Sequence, residues 1–183
     1  MISEKEAVEI IDQILKKNGM ERKFEVEFVK DPKNKAYNMY WNNKNYEKLQ
    51  IEKANLENKK DFVSLLGHEL VHYREKDETK KVQLTKEAKV NNILQECRAD
   101  IEGYKLVKDF VSKEEYLGFL EKQKRTEVNM KNPEKQSFRL GYPCYDKRVE
   151  FVAKYDSFTD EAKSDIKRYY NKPKFDMDQG IKR

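Results

Sequence analysis

Cysteine and histidine are scarce in this chain, which contains two of each among its 183 residues. Two cysteines, Cys97 and Cys144, are too few for a disulfide scaffold and favour a reducing compartment. Two histidines exclude every metal site that is built from three imidazoles. Any catalytic metal bound here must therefore take a further ligand from a carboxylate or a thiolate.

Long apolar runs are also missing. No stretch approaches the roughly 18 apolar residues that cross a membrane as a helix. The first residues, Met1–Glu6, lack the basic region and apolar run of a signal peptide. We therefore expect a cytoplasmic protein without membrane contact.

An excess of one charge is absent as well. The 39 Lys and Arg residues are almost matched by 34 Asp and Glu residues, and the two signs are interspersed along the chain. The resulting net charge of +5 indicates solvated surfaces rather than a nucleic-acid footprint. We expect no nucleic-acid partner.

The composition is still sufficient for one folded domain. Charged residues make up 40% and hydrophobic residues 37% of the chain, and 11 Tyr and 9 Phe supply much of the area that can be buried. Because there is no internal repeat and no low-complexity linker, we expect a single domain over 1–183. Its upper lobe would cover about 1–76 and its lower lobe about 77–183, with a weakly structured tail at 171–183.

Hydrophobic periodicity predicts an α+β fold in which a small sheet precedes a mainly helical C-terminal lobe. Strands are predicted at 24–28, 36–41 and 46–53, and the last two are expected to form a hairpin. Helices are predicted at 3–18, 59–76, 86–110, from 112 onward, at 143–154 and at 159–170. The polar segment 126–141 is predicted to be a loop.

The predicted helix at 59–76 carries both histidines, in the sequence His68-Glu69-Leu70-Val71-His72. Residues four apart lie on one helix face with Cβ atoms roughly 5–6 Å apart, so two imidazoles can bind one Zn²⁺ at about 2.0–2.1 Å each. Glu69 borders the same face and can reach a water molecule beside the metal without binding the metal. This pattern is typical of a zinc hydrolase in which Glu69 is the general base.

The third ligand must come from another element, and the following helix offers Glu96 and Cys97. Cys97 falls in the apolar stripe of that helix, so we expect it to lie in the core. Glu96 and Asp100 are four apart and share a different face. We expect Glu96 to complete a site for one zinc ion per chain and Asp100 to accept the spare N–H of a zinc-bound imidazole. Gly103 lies on the same face, where a missing side chain would let two helices approach closely.

These residues resemble the motifs of the gluzincin metallopeptidases. The pair of motifs is similar to the branch that contains the CAAX prenyl proteases, the HtpX-type heat-shock proteases and the small soluble minigluzincins. It reads His68-Glu69-x-x-His72, then Glu96-x-x-Ala99-Asp100.

A third segment supports the same branch, whose members carry His-Pro, four residues and Arg-Ile. Tyr142-Pro143 and Arg148-Val149 match this spacing, so the likeness covers about 36–150. Tyr142 departs from the pattern because the family has His there. The short spacer before Glu96 and the lack of membrane helices favour the minigluzincins.

The resemblance implies a zincin-like fold, with a small twisted sheet and the active-site helix over a mainly helical lower lobe. In such a fold the edge strand of the sheet aligns the substrate backbone by β-addition. The corresponding segment here is 36–40, so the resemblance marks Ala36, Tyr37 and Asn38 as substrate-binding residues.

The activity that the resemblance implies is that of a zinc metalloendopeptidase acting on a peptide or protein substrate. A zinc-activated water would attack the peptide bond, with Glu69 as general base. Tyr142 would donate a hydrogen bond to the oxyanion. Arg148 would hold its segment over the cleft through a carboxylate. We also expect the protein to be a monomer.

Three other functions stay open. An ImmA-type regulatory protease, which cleaves a repressor, usually has Glu-x-x-Ala-Asn at the third ligand, and Asp100 disfavours it. A non-catalytic interaction module would hold a structural zinc, but such a site has no use for Glu69 and would close its fourth position. A basic DNA-associated module is disfavoured by the interspersed charge.

The resemblance also raises latency, because minigluzincins are expected to use a C-terminal block. The segment 174–180 carries Asp176 and Asp178 beside two apolar residues. An extended tail could place Asp176 or Asp178 at the open zinc position. The alternative is a frayed, charged terminus.

Overall fold

The computed structural model describes residues 1–30, 39–41, 45–76, 85–123 and 132–175. Three β-strands lie within them: β1 (Glu25–Val29), β2 (Met39–Trp41) and β3 (Lys48–Glu52). The α-helices of these residues are α1 (Glu4–Lys17), α2 (Lys59–Glu75), α3 (Lys86–Val107), α4 (Lys113–Gln123), α5 (Pro133–Leu140), α6 (Tyr145–Lys154) and α7 (Asp160–Tyr170). The predicted α+β fold with a mainly helical C-terminal lobe is confirmed.

Side-chain caps fix the starts of the helices that the sequence predicts. The Ser3 hydroxyl accepts a hydrogen bond from the backbone N–H of Glu6 at the start of α1. The Asn58 side chain accepts from two backbone N–H groups in the first turn of α2, and the Thr85 hydroxyl accepts one at the start of α3. These bonds satisfy donors that the first helical turn leaves without partners.

The sheet has the strand order β1-β3-β2. The predicted hairpin is confirmed, because β2 and β3 pair antiparallel with Met39 opposite Ile51 and Trp41 opposite Leu49. β1 pairs with β3 in parallel, which local sequence patterns do not reveal. Leu49 and Ile51 are completely buried, so the central strand anchors the sheet on the core.

One prediction about irregular structure is wrong, and the structure describes part of a second segment. Within the predicted loop 126–141, Pro133–Leu140 form α5, which is capped by Asn132 and ends at Gly141 with φ +78°. The predicted weak tail begins with a 3₁₀ turn at Pro173–Phe175. Phe175 is 2% exposed and its ring packs against Phe138 at 4.8 Å between centroids. Caps at both ends therefore order α5, and aromatic packing orders the described start of the tail, 171–175.

The core is one cluster of buried side chains that includes residues of both predicted lobes. α2 contacts β2 on one side and α3 on another. As a result α2 is buried around most of its circumference, and α3 covers the histidines. Among the described helices, none is long and apolar enough to cross a membrane.

Candidate metal centre

α2 brings both histidines to one point. His68 and His72 lie one turn apart, and their Nε2 atoms are 3.1 Å apart. His68 is 7% exposed, and the His72 side chain is 12% exposed. Two ring nitrogens that face each other at this distance, away from bulk water, are arranged to share one cation.

α3 adds the carboxylate of Glu96. One of its oxygens lies 3.5 Å from His68 Nε2, and the other lies 3.6 Å from His72 Nε2. In a tetrahedral site with metal–nitrogen bonds of about 2.0–2.1 Å, two ligand atoms are about 3.3–3.4 Å apart. The three ligand atoms of His68, His72 and Glu96 therefore fit a metal ion, and this buried group could hold one.

The chemistry of the three donors also suits such an ion. Imidazole nitrogen and carboxylate oxygen are common ligands of Zn²⁺ and of other divalent first-row metals. Cys97, the rejected candidate, is a free thiol that is 1% exposed and belongs to the hydrophobic core. Its placement in the core is as the sequence predicted.

Asp100 is hydrogen-bonded to the second ring nitrogen of His68. The Nδ1–H group of His68 donates to a carboxylate oxygen of Asp100 at 2.8 Å. This bond occupies Nδ1, so Nε2, which faces Glu96 and His72, is the nitrogen that remains for a metal ion. The structure thus puts Asp100 at the spare nitrogen of a candidate ligand, where the sequence places it.

Arg148 on α6 clamps the same carboxylate. Its Nε donates to one oxygen of Asp100 at 2.7 Å, and its Nη2 donates to the other at 2.6 Å. Asp100 is fully buried, and the Arg148 guanidinium also lies over the ring of Tyr145, 4.6 Å from its centroid. The carboxylate predicted to hold Arg148 is therefore Asp100, which connects α6 to the candidate metal centre.

Burial and charge oppose each other at this pair. Burial raises the pKa of the Asp100 carboxyl, but the charges and hydrogen bonds of Arg148 and His68 outweigh burial and lower the pKa below its ordinary value. Burial lowers the pKa of His68, but Asp100 and Glu96 outweigh it and raise the pKa to about 9. The carboxylates of Asp100 and Glu96 therefore favour a positive charge at this position.

The close approach expected at Gly103 is confirmed. A Cβ atom at Gly103 would lie 2.9 Å from the backbone nitrogen of His68, and one at Gly67 would lie 2.6 Å from the carbonyl oxygen of Gly103. Any side chain at either position would push α2 away from α3 and separate the ligands. Sequence reasoning missed Gly67, although a glycine one residue before the first histidine could have indicated it.

Trp41 links the sheet to the residue between the histidines. Its indole N–H donates to the backbone carbonyl of Glu69 at 3.2 Å, and its ring stacks on Tyr73 with 5.3 Å between centroids. Phe24 and Tyr46 pack edge-on against the same indole. The half-buried Glu69 is therefore held next to β2. Sequence reasoning assigned Trp41 to a strand but gave it no role at the site.

Tyr142 lies close to α3, the helix that carries Glu96. It directly follows Gly141, which packs against Asn92, one helical turn before Glu96. The Tyr142 side chain is 41% exposed, and its backbone N–H donates to the carbonyl of Ser137. This position is compatible with a group that meets substrate at the edge of the site.

Some of the predicted site residues fall outside the described residues. These are the proposed edge-strand residues Ala36, Tyr37 and Asn38, and the tail carboxylates Asp176 and Asp178. β2 is described only from Met39 onward.

Comparisons with family models, with curated proteins and with solved structures give no significant match for this chain.

Proposed function

We propose that the protein is a zinc-dependent metallopeptidase of the gluzincin type. The observation that carries this proposal is that His68, His72 and Glu96 direct their ligand atoms at one point. The second ring nitrogen of His68 is hydrogen-bonded to Asp100. A site with three protein ligands leaves one coordination position for a water molecule or a substrate. A purely structural zinc would instead have its fourth position closed by a protein ligand.

Zinc supplies Lewis acidity when bound, which makes a water molecule more acidic and a carbonyl group more electrophilic. Glu69 takes a proton from the attacking water as the new C–O bond forms at the carbonyl carbon. Glu69 then passes this proton to the amine nitrogen as the C–N bond breaks. The hydrogen bond from Trp41 to its backbone carbonyl supports this role, because it anchors the backbone of Glu69 between the two histidines.

Two further residues complete the proposed machinery. Tyr142, at the exposed end of the segment that carries Arg148, donates a hydrogen bond to the oxygen that becomes negative during attack. Arg148 acts through Asp100 rather than on the substrate, because both of its bonds to the acid are buried. Two free, buried thiols, Cys97 and Cys144, support a reducing compartment, so we place the enzyme in the cytoplasm.

The test combines metal analysis with loss of the base. Purified protein should contain about one zinc per chain. Glu69→Gln should keep the zinc but lower the turnover of a random peptide pool by about 10²–10⁴-fold, because only the proton acceptor is lost. Glu114→Gln, at an exposed position of α4, is the matched control and should digest the pool like the wild type.

Equal digestion by Glu69→Gln and the wild type would refute the mechanism. A zinc-loaded wild type that cleaves no member of the pool would instead favour an interaction module.

A further inference from the structure

The hydroxyl group of Tyr116 is a buried polar group without a partner. Tyr116 lies on α4 and is completely buried, and its hydroxyl makes no hydrogen bond within the part of the chain that the structure describes. A buried donor without an acceptor costs free energy, and a phenylalanine would fill almost the same space without that cost. A tyrosine at this position is therefore explained if its O–H group serves a neighbour.

This hydroxyl lies where α2 crosses α3, the two helices that carry the candidate ligands. A Cβ atom at Gly103 would be 2.8 Å from the Tyr116 oxygen and 2.9 Å from the backbone nitrogen of His68. α4 also contacts α2 and α6, the helices that carry His68 and Arg148. The Tyr116 hydroxyl is therefore next to the backbone of a candidate metal ligand, in the interior of the protein.

Asp100 is a buried acceptor in the same region, and its capacity is not filled. A carboxylate has about four acceptor positions on its two oxygens. Among the described residues, Oδ1 accepts from His68 Nδ1 and Arg148 Nη2, whereas Oδ2 accepts only from Arg148 Nε. Because Asp100 is completely buried, bulk water does not reach the fourth position. The carboxylate can therefore accept one more hydrogen bond from an internal donor.

The donor and this acceptor are separated by about the span of one water molecule. Gly103 follows Asp100 by three residues, so their Cβ positions are roughly 5–6 Å apart on one face of α3. The Tyr116 hydroxyl lies against Gly103, and a bridging water spans two hydrogen bonds of about 2.8 Å each. Burial, and then the charge of Asp100, raise the pKa of Tyr116 well above its ordinary value. The phenol therefore keeps its proton and can act as the donor.

We propose that Tyr116 is a positioning residue of the metal centre, which donates through one internal water molecule to Oδ2 of Asp100. The added bond holds the Asp100 carboxylate, which in turn orients the His68 ring through Nδ1. Internal waters bond buried groups that otherwise have no partner, and fixed partners behind a ligand raise metal affinity. Tyr116 thus acts through Asp100 and touches neither metal nor substrate. The inference rests on the metal binding of the proposed function but not on peptide cleavage.

The experiment compares Tyr116→Phe with Tyr170→Phe, which removes the same hydroxyl from another completely buried tyrosine. Tyr170 packs among the rings of Phe138 and Phe175. Zinc affinity is measured on the folded proteins by competition with a chelator. Tyr116→Phe should lower the affinity about 2–10-fold, the equivalent of one hydrogen bond, and Tyr170→Phe should match the wild type. Equal zinc affinity in the two variants would overturn the role of Tyr116.

A second readout does not depend on zinc. The NMR signal of the His68 Nδ1–H proton reports the hydrogen bond to Asp100 in the metal-free protein. It should move in Tyr116→Phe and stay in place in Tyr170→Phe, and an unmoved signal in Tyr116→Phe would also overturn the proposal. Digestion of the random peptide pool tests the proposed function separately. A wild type that binds zinc but cleaves no peptide would reject the peptidase and leave the role of Tyr116 intact.

Discussion

The backbones of Gly67 and Gly103 touch where α2 crosses α3. A Cβ atom at Gly67 would lie 2.6 Å from the carbonyl oxygen of Gly103, and one at Gly103 would lie 2.9 Å from the carbonyl carbon of Gly67. Contacts this short leave no room for a methyl group on either helix. The two helices can approach this closely only because both residues are glycines. This approach determines the distance between the histidines of α2 and Glu96 of α3.

Gly103→Ala should destabilise the protein by about 1–3 kcal/mol, because backbone atoms cannot move aside as a side chain can. It should also weaken zinc binding, since His68 and Glu96 would be forced apart. Denaturant unfolding and zinc titration measure the two effects. Gly118→Ala is the control, because a Cβ atom there meets nothing within 4 Å and should raise helix stability by about 0.5–1 kcal/mol. Equal stability of Gly103→Ala and the wild type would contradict the crossing described here.

Asp100→Asn should be costly although it changes few atoms. It leaves the buried Arg148 guanidinium without its carboxylate, a loss of about 3–5 kcal/mol for a buried pair. It also weakens the hold on His68, so zinc affinity should fall about 10–100-fold. Metal affinity is measured by competition with a chelator. The comparison is Asp109→Asn at an exposed ion pair with Lys17, which should leave both properties near those of the wild type.

The choice between Glu96 and its neighbour Cys97 has a direct test. Glu96→Ala removes a candidate ligand, whereas Cys97→Ser alters a buried core thiol on another face of α3. Zinc affinity should fall far more in Glu96→Ala than in Cys97→Ser. Equal affinity in the two variants, measured on folded protein, would mean that Glu96 does not bind the metal.

Trp41 is the only tryptophan, and it is attached to the helix that carries the histidines. Zinc binding should therefore change the intrinsic fluorescence, because the indole N–H is bonded to the carbonyl of Glu69. The change should saturate at about one equivalent of zinc. His72→Ala should remove it. Zinc binding that leaves the emission of the wild type unchanged would show that the sheet does not sense the site.

The latency hypothesis can be tested by truncating the tail, and the residue at which the chain ends decides what the test measures. Phe175 is buried against Phe138 and Tyr170, so Phe175→Ala should cost about 3–5 kcal/mol. A chain that ends at Tyr170 should be destabilised in the same way, as denaturant unfolding will measure. A chain that ends at Phe175 keeps this packing and removes only the residues that carry Asp176 and Asp178. Higher peptidase turnover by that chain, at equal zinc content, is the result that latency requires.

The sequence identifies the candidate metal ligands better than it identifies their surroundings. His68 and His72 are four residues apart on α2, and Glu96 and Asp100 are four apart on α3, so spacing alone places each pair on one helix face. The packing of α2 on α3 then brings the two faces together. α5 was predicted as a loop because Phe138 is its main apolar anchor, although Asn132 and Gly141 at its ends are typical caps.

Long-range contacts explain the remaining differences. The parallel pairing of β1 with β3 depends on packing between segments that are distant in the chain. Asn92 resembles an ordinary surface residue until α5 and Gly141 cover it. Trp41 acquires its partner only when β2 lies beside α2. No local pattern reports such contacts.

All the candidate ligands lie on α2 and α3, which follow each other in the chain. β1, in contrast, pairs with β3 although β2 lies between them in sequence. The candidate ligands His72 and Glu96 are nonetheless about as far apart in sequence as the paired residues Glu25 and Lys48, so the two contacts cost a similar loop-closure entropy. A metal ion bound to the helical pair would stabilise only the first of these contacts, so zinc should slow the separation of α2 from α3 during unfolding.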